Sequence, residues 1–381
     1  MADLGEIMRG EGERYLNSHF STPVRRKAIH DIAACRTVAK GVVLNACEDC
    51  SIGYYHYRSC RNRSCPLCQG AARLNWFAAR LEELLPVSYS HVVFNVPPEF
   101  TVLARYCQKE LYDAVIRAAA QAIIDVGWSK LHARLGPQIQ LQTWTESMAY
   151  LVHAHCVVPC GGFSEDGSQW ISFEPHDLPA SALSDRFRTL LCKAIRRAVQ
   201  KGRFKRLPKS ISVDEILLAA MSHEWNVYAE PPFGGPEQLL AYLAQYINRV
   251  AITNDRIELY ENHQVTFRGR DDANGQVKLY RLEGAEFVER YVQHVPPKGF
   301  MRIRSYGFMA NRNRKRNLEK ARQLIGQTIT QPSRERVRPM RLCPACYEAR
   351  RAHGLPCFAA SPNGTPSGIP DLRPPPNPLA A

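Results

Sequence analysis

Two Cys-x-x-Cys motifs constrain the N-terminal part of this chain more than any other feature of the sequence. They are Cys47-x-x-Cys50 and Cys65-x-x-Cys68, and fourteen residues separate them. Each motif turns two thiolates toward one point, and a loop of this length can bring the pairs together around a tetrahedral ion. The sequence therefore predicts one structural Zn²⁺ bound by all four cysteines.

The remaining cysteines leave alternatives open. Thirteen cysteines, in a chain whose first residues lack the basic-then-apolar order of a secretory signal, argue against a disulfide framework. Cys35, Cys60 and His56 could be buried or could bind a second metal. Near the C-terminus, four residues could form a second, small zinc knuckle: Cys343, Cys346, His353 and Cys357.

The charge of the chain indicates an anionic partner. A formal net charge of +14 and a pI near 9.3 favour nucleic acid. An anionic membrane is the weaker alternative, because the sequence has no apolar run of about eighteen residues. We expect a cytoplasmic, nucleoid-associated protein without a membrane partner.

A short apolar stretch, residues 150–159, predicts a buried strand that carries two histidines. Side chains at i and i+2 of a strand point to the same face, so His153 and His155 present two imidazoles side by side. Two such imidazoles are half of a divalent-metal site. Ordinary strand histidines bonded to their neighbours are the alternative. His91, alone on an earlier predicted strand, is interpreted as a core residue.

The order of predicted elements favours an α+β fold with helices on a mainly antiparallel sheet. Thr22 and Pro23 are typical of a helix start. Helices are predicted over 70–85, 100–135, 180–201, 239–250 and 283–294, and strands over 88–96, 138–145, 150–159, 170–173, 256–282 and 301–308.

Tyr242 and Tyr246 lie one turn apart on the predicted helix over 239–250, at the border of its apolar stripe. They could simply flank a core stripe. Coupled to a metal at His153 and His155, however, a phenol becomes a feasible nucleophile, because the metal polarises a phosphodiester. Such an attack would link DNA to tyrosine and free a 3′-hydroxyl.

Several motifs, taken together and in order, resemble the two-tyrosine HUH rolling-circle transposases of the insertion-sequence ninety-one type, bacterial relatives of Helitrons. They are Cys47-x-x-Cys50, SCRNRSCPLCQ at 59–69, His153-Ala-His155 and YLAQYINRVAI at 242–252, with PPFGGP at 231–236 and HVPPKGF at 294–300. The likeness runs from about residue 25 to 325. It implies an HUH endonuclease domain behind a zinc-binding domain, and cleavage and transfer of single-stranded element ends through 5′-phosphotyrosine links.

The resemblance also indicates partners and domain limits. The expected partners are single-stranded DNA at element ends, target DNA and host replication factors; a homodimer is left open. We predict a helical and zinc-binding domain over 1–85, the HUH domain with its tyrosine helix over 86–255 and a basic DNA-binding extension over 256–340. A small zinc knuckle over 341–358 and a disordered tail over 359–381 follow.

The third ligand of the catalytic Mg²⁺ or Mn²⁺ is less defined. The family usually has a histidine two places before the pair, where this chain has Leu151. Glu146, at the end of the preceding strand, supplies a suitable anionic oxygen and is our prediction. The rivals are amides: Gln142, Gln245 and Asn248.

Basic side chains near these motifs predict the DNA contacts. The stretch between the two cysteine motifs combines the aromatic residues of 54–57 with Arg58, Arg61 and Arg63, which suits contact with bases and phosphates. The densest basic run, residues 311–316, stands close behind the candidate site. The predicted DNA-binding residues are Arg61, Arg63, Arg249, Arg312, Arg314, Lys315 and Arg316.

Two other functions share parts of this pattern. A plasmid rolling-circle replication initiator or relaxase would use the same histidines and tyrosines on a different DNA. A zinc-ribbon nucleic-acid-binding protein would bind DNA in a salt-sensitive way and form no covalent product.

Overall fold

The computed structural model describes residues 2–230, 250–272, 274–326 and 342–352. Its helices are α1 (Leu4–Ser18), α2 (Pro23–Ala33), α3 (Pro66–Leu81), α4 (Thr101–Leu131), α5 (Ala180–Gln200), α6 (Val213–Met221), α7 (Gly284–Val292), α8 (Arg314–Ile325) and α9 (Pro344–Ala352). Its strands are β1 (Val42–Ala46), β2 (Gly53–Tyr57), β3 (Tyr89–Asn95), β4 (Gln138–Trp144), β5 (Tyr150–Pro159), β6 (Gly161–Phe163), β7 (Trp170–Ser172), β8 (Val227–Glu230), β9 (Ile257–Glu261), β10 (Gln264–Arg270), β11 (Val277–Glu283) and β12 (Ile303–Ser305).

A five-stranded sheet in the order β12-β4-β5-β3-β8 forms the centre of the molecule, and all its neighbouring strands are antiparallel. Side chains alternate between the two faces. One face is apolar and is covered by α4 and α5, so that Phe94, Ala154 and Phe187 share a core. The predicted α+β class is confirmed. The other face carries the histidines.

A second core lies beside the central sheet. It joins α1 and α2 to α7 and to the three-stranded sheet β11-β10-β9. The Thr22 hydroxyl accepts from the Arg25 N–H, which confirms the predicted helix start. Because Ile29 and Phe287 lie in the same core, segments assigned to different predicted domains pack together. The domain limits remain a prediction.

Some predicted elements differ in extent. The helix expected over 70–85 begins at Pro66, within the second cysteine motif, because proline is favoured at a first helical position. The strand expected over 301–308 is only β12. Within the described residues, no helix is long and apolar enough to cross a membrane.

Candidate functional site

The two predicted histidines lie side by side on the polar face of the central sheet. His153 pairs with Asn95 of β3 and with Gln142 of β4, while His155 pairs with Gln140. The ring centroids of the two histidines are 5.0 Å apart. Only 2% of His153 and 8% of His155 is exposed. The shared face expected from the alternation of side chains is therefore present.

A third imidazole, from His91 of β3, joins this pair. Its Nε2 lies 3.1 Å from His155 Nδ1, and the two rings stack with centroids 5.3 Å apart. His91 is thus a histidine with a hydrogen-bond partner, as interpreted from the sequence, but it lies on the histidine face of the sheet rather than in the apolar core. In the antiparallel register Val93 pairs with His155, so residues 91, 93 and 95 share the face of the histidine pair. Pairing β3 with β5 at the sequence level would have revealed this contact.

Burial keeps these imidazoles neutral. Loss of solvent lowers the pKa of His91 and of His153 to about 4. Burial, together with the charges of the two neighbouring histidines, holds the pKa of His155 well below its usual range. A neutral imidazole keeps a lone pair on one ring nitrogen, and only this form binds a metal.

Amide oxygens surround the histidines on the same face. Gln142 donates through Nε2 to the Trp144 carbonyl at 3.0 Å, which leaves its buried Oε1 as an acceptor. Within the described part of the chain, Oε1 of Gln140 and of Gln142 and Oδ1 of Asn95 have no hydrogen-bond donor. A buried acceptor without a donor is costly, so it marks a place where a cation or a donor can bind.

Glu146 does not join this group. Its carboxylate accepts from the Arg270 N–H at 3.2 Å and lies 3.9 Å from the Arg270 guanidinium. The register of β4 against β5 shifts between Gln142 and Trp144, and Glu146 follows in the turn, where it faces β10. The prediction of Glu146 as the third ligand was therefore wrong. Gln142, a rival in the sequence, lies in register with His153.

A cleft of about 270 Å³ opens beside the histidine face. Asn95, Leu151 and Trp225 line it, together with Thr145 and Asp272. Leu151 occupies the place where the family usually has a histidine, so this chain has an apolar wall at that point.

The predicted tyrosine helix lies outside the described residues, and so do Tyr242, Tyr246, Gln245, Asn248 and Arg249. The chain on either side of that segment is defined. Glu230, the last residue of β8, pairs with His91. Val250 is buried in the second core, with 5% exposed.

The four predicted zinc cysteines do not form one cluster. Cys65 and Cys68 join Cys35 and Cys60, with Sγ–Sγ distances of 3.6 Å from Cys35 to both Cys65 and Cys68 and from Cys60 to Cys68. A tetrahedral zinc with bonds of about 2.3 Å places its sulfurs about 3.8 Å apart, so this spacing fits the ion. Cys35 and Cys60 thus complete the four-cysteine site of Cys65 and Cys68.

Cys47 and Cys50 lie at the far end of a hairpin. Strands β1 and β2 pair along five residues each, and the turn between them carries both thiols. A strand of five residues spans about 17 Å, which separates this motif from the one at the base of the hairpin. Cys343 and Cys346 complete the second cluster. His353 and Cys357, the other members of the predicted C-terminal knuckle, lie outside the described residues.

Two family models match the chain. A transposase zinc-binding domain matches residues 7–96, and a putative transposase model matches residues 136–317. A putative transposase, y4qJ, of Sinorhizobium fredii is 36% identical over 372 residues, which cover 91% of this chain and 94% of the relative. The chain belongs to this transposase family. The zinc-binding match and the cysteine clusters together support structural zinc in the transposase.

Other relatives agree with the type. The transposase of insertion sequence element IS801 from Pseudomonas savastanoi pv. phaseolicola is 26% identical, over 75% of this chain and 70% of the relative. It supports the insertion-sequence ninety-one type. Conjugative relaxase TrwC in complex with oriT DNA is 12% identical in its metal-free form and 13% in its metal-bound form, covers 41% and 42% of the transposase, and has a TM-score of 0.23 in both.

The predicted DNA-binding arginines divide into two groups. Arg63 donates to the carbonyls of Pro297 and Phe300 at 2.7 and 2.5 Å, and Arg314 binds Glu83 at 3.1 Å. These two side chains hold the fold together, so assigning them to phosphate was wrong. The others that the structure describes are exposed and stay predicted DNA contacts: Arg61, Arg312, Lys315 and Arg316.

The HVPPKGF motif connects the zinc-binding part of the transposase to the central sheet. His294 lies 3.2 Å from both the Thr143 hydroxyl and the Met148 carbonyl, and its ring stacks on Tyr150. Met148 O needs a donor, so Nε2 carries the proton and Nδ1 accepts from Thr143. This motif fixes the ends of the two strands that carry His153 and the glutamines.

His294 predicts a pH-dependent stability. Burial lowers its pKa to about 3, so the unfolded chain binds one more proton below the ordinary pKa of about 6.5. The stability that the neutral, buried His294 contributes is complete above pH 6.5 and is lost as the pH falls from there toward 3. When the pH is lowered from 7 to 4.5, the free energy of unfolding should fall in both proteins, but by about 2 to 3 kcal/mol less in His294→Gln than in the wild type. Urea titrations at both pH values measure this; His176→Gln, whose ring is 81% exposed, is the control. Parallel losses in all three proteins would contradict the assignment.

The first cysteine cluster predicts the effect of Cys65→Ser. The substitution removes one of the four thiolates of this cluster and leaves those of Cys35, Cys60 and Cys68. The variant should therefore lose one zinc per chain and show a lower melting temperature. The metal is counted by elemental analysis and the melting followed by circular dichroism. Cys192→Ser, remote from both clusters, should keep its zinc. Native transposase without zinc would refute the claim.

Proposed function

We propose that this transposase nicks and transfers single-stranded DNA at the ends of its insertion sequence through 5′-phosphotyrosine links on Tyr242 and Tyr246. The observation that carries the proposal is the buried group of neutral imidazoles and amide oxygens around His153. Glu230, the last described residue before the stretch that carries both tyrosines in the sequence, pairs with His91.

The residues of this face fit a divalent cation. His153 and His155 offer ring nitrogens, and we propose Gln142 Oε1 as the third ligand because it is buried, lies in register with His153 and has no donor among the described residues. The amide oxygen suits Mg²⁺ or Mn²⁺, and the imidazole nitrogens, which are borderline ligands, favour Mn²⁺ of the two. When bound, the cation would polarise the scissile phosphodiester.

His91 is proposed to orient His155. If Nε2 of His155 faces the cation, Nδ1 carries the proton and donates to His91 Nε2 across the observed 3.1 Å. A hydrogen bond on the far nitrogen fixes the tautomer and the ring plane of a metal ligand. The apolar contact of the sheet with α4 supports this arrangement from behind.

The reaction exchanges one phosphodiester for another, so no bond energy is lost to hydrolysis. A tyrosine oxygen attacks phosphorus and gives up its proton, while the bond from phosphorus to the 3′-oxygen breaks and that oxygen takes up a proton. The 5′ end is then held on tyrosine, and a 3′-hydroxyl can later attack this link in reverse. Two tyrosines permit a second strand transfer while the first 5′ end is still attached.

The positive surface is proposed to hold the DNA. Arg312, Lys315 and Arg316 are exposed at the start of α8 and can neutralise phosphates. The cleft next to Leu151 is lined by the carboxylates of Glu224 and Asp272 and by His223, whose ring is paired with Glu99, so a base is proposed to fit it rather than a phosphate. Target DNA, host replication factors and a second copy of the chain are further proposed partners.

The test is covalent capture. The transposase is mixed with Mg²⁺ or Mn²⁺ and an oligonucleotide spanning an element end, either single-stranded or as a duplex. The single strand should give an adduct that survives denaturing electrophoresis, and the duplex should give little. Tight binding without any adduct would instead favour a zinc-ribbon binding protein. An adduct formed only with a plasmid origin would favour an initiator or a relaxase.

A further inference from the structure

The second cysteine cluster joins two parts of the chain that are 293 residues apart. Cys50 Sγ lies 3.7 Å from Cys343 Sγ, close to the spacing of about 3.8 Å that a tetrahedral zinc requires. The Sγ atoms of all four cysteines in the cluster lie within 4.8 Å of one another: Cys47, Cys50, Cys343 and Cys346. Disulfide sulfurs would be about 2.05 Å apart, so this spacing describes separate thiols.

Backbone donors surround these sulfurs as they do in a zinc knuckle. The Cys343 N–H donates to Cys47 Sγ at 3.3 Å, and the Cys346 N–H donates to Cys343 Sγ at 3.5 Å. Pro344 begins α9 and fixes the turn that points both thiols toward the hairpin. Donors directed at sulfur stabilise thiolates, which are the form that binds zinc.

The contacts around the cluster are specific but small. Tyr347 and Leu342 pack against Cys47 and Tyr54. Arg350 binds the Asp49 carboxylate through two hydrogen bonds of 2.5 and 2.7 Å. Among the described residues, this apolar cluster has four buried members, too few to hold a segment of eleven residues without another source of stability.

We propose that Cys47, Cys50, Cys343 and Cys346 bind a second structural zinc, which fastens residues 342–352 to the β1–β2 hairpin. Half of this site lies beyond both matched segments, 7–96 and 136–317. The zinc-binding domain of this transposase is therefore discontinuous, and its folding requires the C-terminal segment. The inference does not depend on the cleavage chemistry.

The first experiment counts zinc in the purified full chain. The wild type should hold two zinc ions per chain. The variants Cys343→Ser/Cys346→Ser and Cys47→Ser/Cys50→Ser should each hold one, and so should Cys60→Ser/Cys68→Ser, which removes the other site. One zinc in the wild type would overturn the proposal. It would also be overturned if the Cys47→Ser/Cys50→Ser variant kept two, because Cys343 and Cys346 would then bind zinc with other partners.

The second experiment measures the attachment directly. A protease site is inserted between residues 327 and 341, and the full chain is cleaved there after purification. The C-terminal fragment should co-elute with the rest of the protein in size-exclusion chromatography. It should separate on addition of a chelator, or in the Cys47→Ser/Cys50→Ser variant without chelator. Arg350→Ala, which leaves the thiols intact, should keep the fragment attached. Release from the zinc-loaded wild type, or retention in the Cys47→Ser/Cys50→Ser variant, would overturn the proposal.

Discussion

The double variant Tyr242→Phe/Tyr246→Phe should form no covalent adduct with a single-stranded element end. Phenylalanine keeps the aromatic ring of each tyrosine but removes the phenolic oxygen, which is the atom proposed to attack phosphorus. Loss of a nucleophile typically lowers such a rate by about 10³-fold or more, so the adduct should fall below detection. Labelled oligonucleotide, denaturing electrophoresis and equal protein loads measure the effect.

The single variants separate the roles of the two tyrosines. If each tyrosine holds one DNA end, each single variant should still form some adduct but should fail in complete transposition, which needs both links. Tyr106→Phe is a matched control, because Tyr106 lies on α4, which covers the opposite face of the sheet. Its adduct level should equal that of the wild type.

Two outcomes would contradict this assignment. An adduct in the double variant would mean that another residue is the nucleophile and that both tyrosines only pack against the core. A full effect from one single variant and none from the other would mean that one tyrosine acts alone. DNA binding, measured by filter retention, should stay near the wild-type level in all variants, since the proposed phosphate contacts lie on other residues.

The part of the site that depends on local periodicity could be predicted from the sequence. A period of two residues placed His153 and His155 on one face, and the structure agrees. The third histidine could not be found in that way, because His91 is 64 residues from His155 and depends on strand register. Glu146 was misplaced because one irregularity in β4 redirected the end of the strand.

The cysteines illustrate a similar limit. A Cys-x-x-Cys motif identifies two ligands of one ion, but it carries no information about which second pair completes the site. Here a hairpin separates two motifs that are neighbours in the sequence, and the missing pair for Cys47 and Cys50 comes from Cys343 and Cys346. The assignment of Arg63 to phosphate failed for a related reason, since its carbonyl partners lie more than 230 residues away.

The variants His153→Ala and His155→Ala should abolish DNA cleavage while leaving DNA binding nearly unchanged. Each removes one neutral nitrogen ligand from the proposed cation site, so the phosphodiester is no longer polarised when the tyrosine attacks. We expect cleavage to fall by about 10³-fold or more for either variant. A chelator should give the same loss in the wild type, and added Mg²⁺ or Mn²⁺ should restore it.

Two neighbouring residues make this prediction sharper. Gln142→Ala should weaken cation binding relative to the wild type. Gln142→Glu should bind the cation as tightly as the wild type or more tightly, because the carboxylate supplies an oxygen at the same place. His91→Ala should cost about 10- to 100-fold in cation affinity, the effect expected of a residue that only orients a ligand. Cation titrations of the cleavage rate and of Mn²⁺ binding measure both. Glu146→Gln is the matched control: its carboxylate faces Arg270, so the variant should leave the cation dependence unchanged. Full cleavage in excess chelator would contradict the cation site itself, whereas normal Mn²⁺ affinity in Gln142→Ala would remove only Gln142 from it.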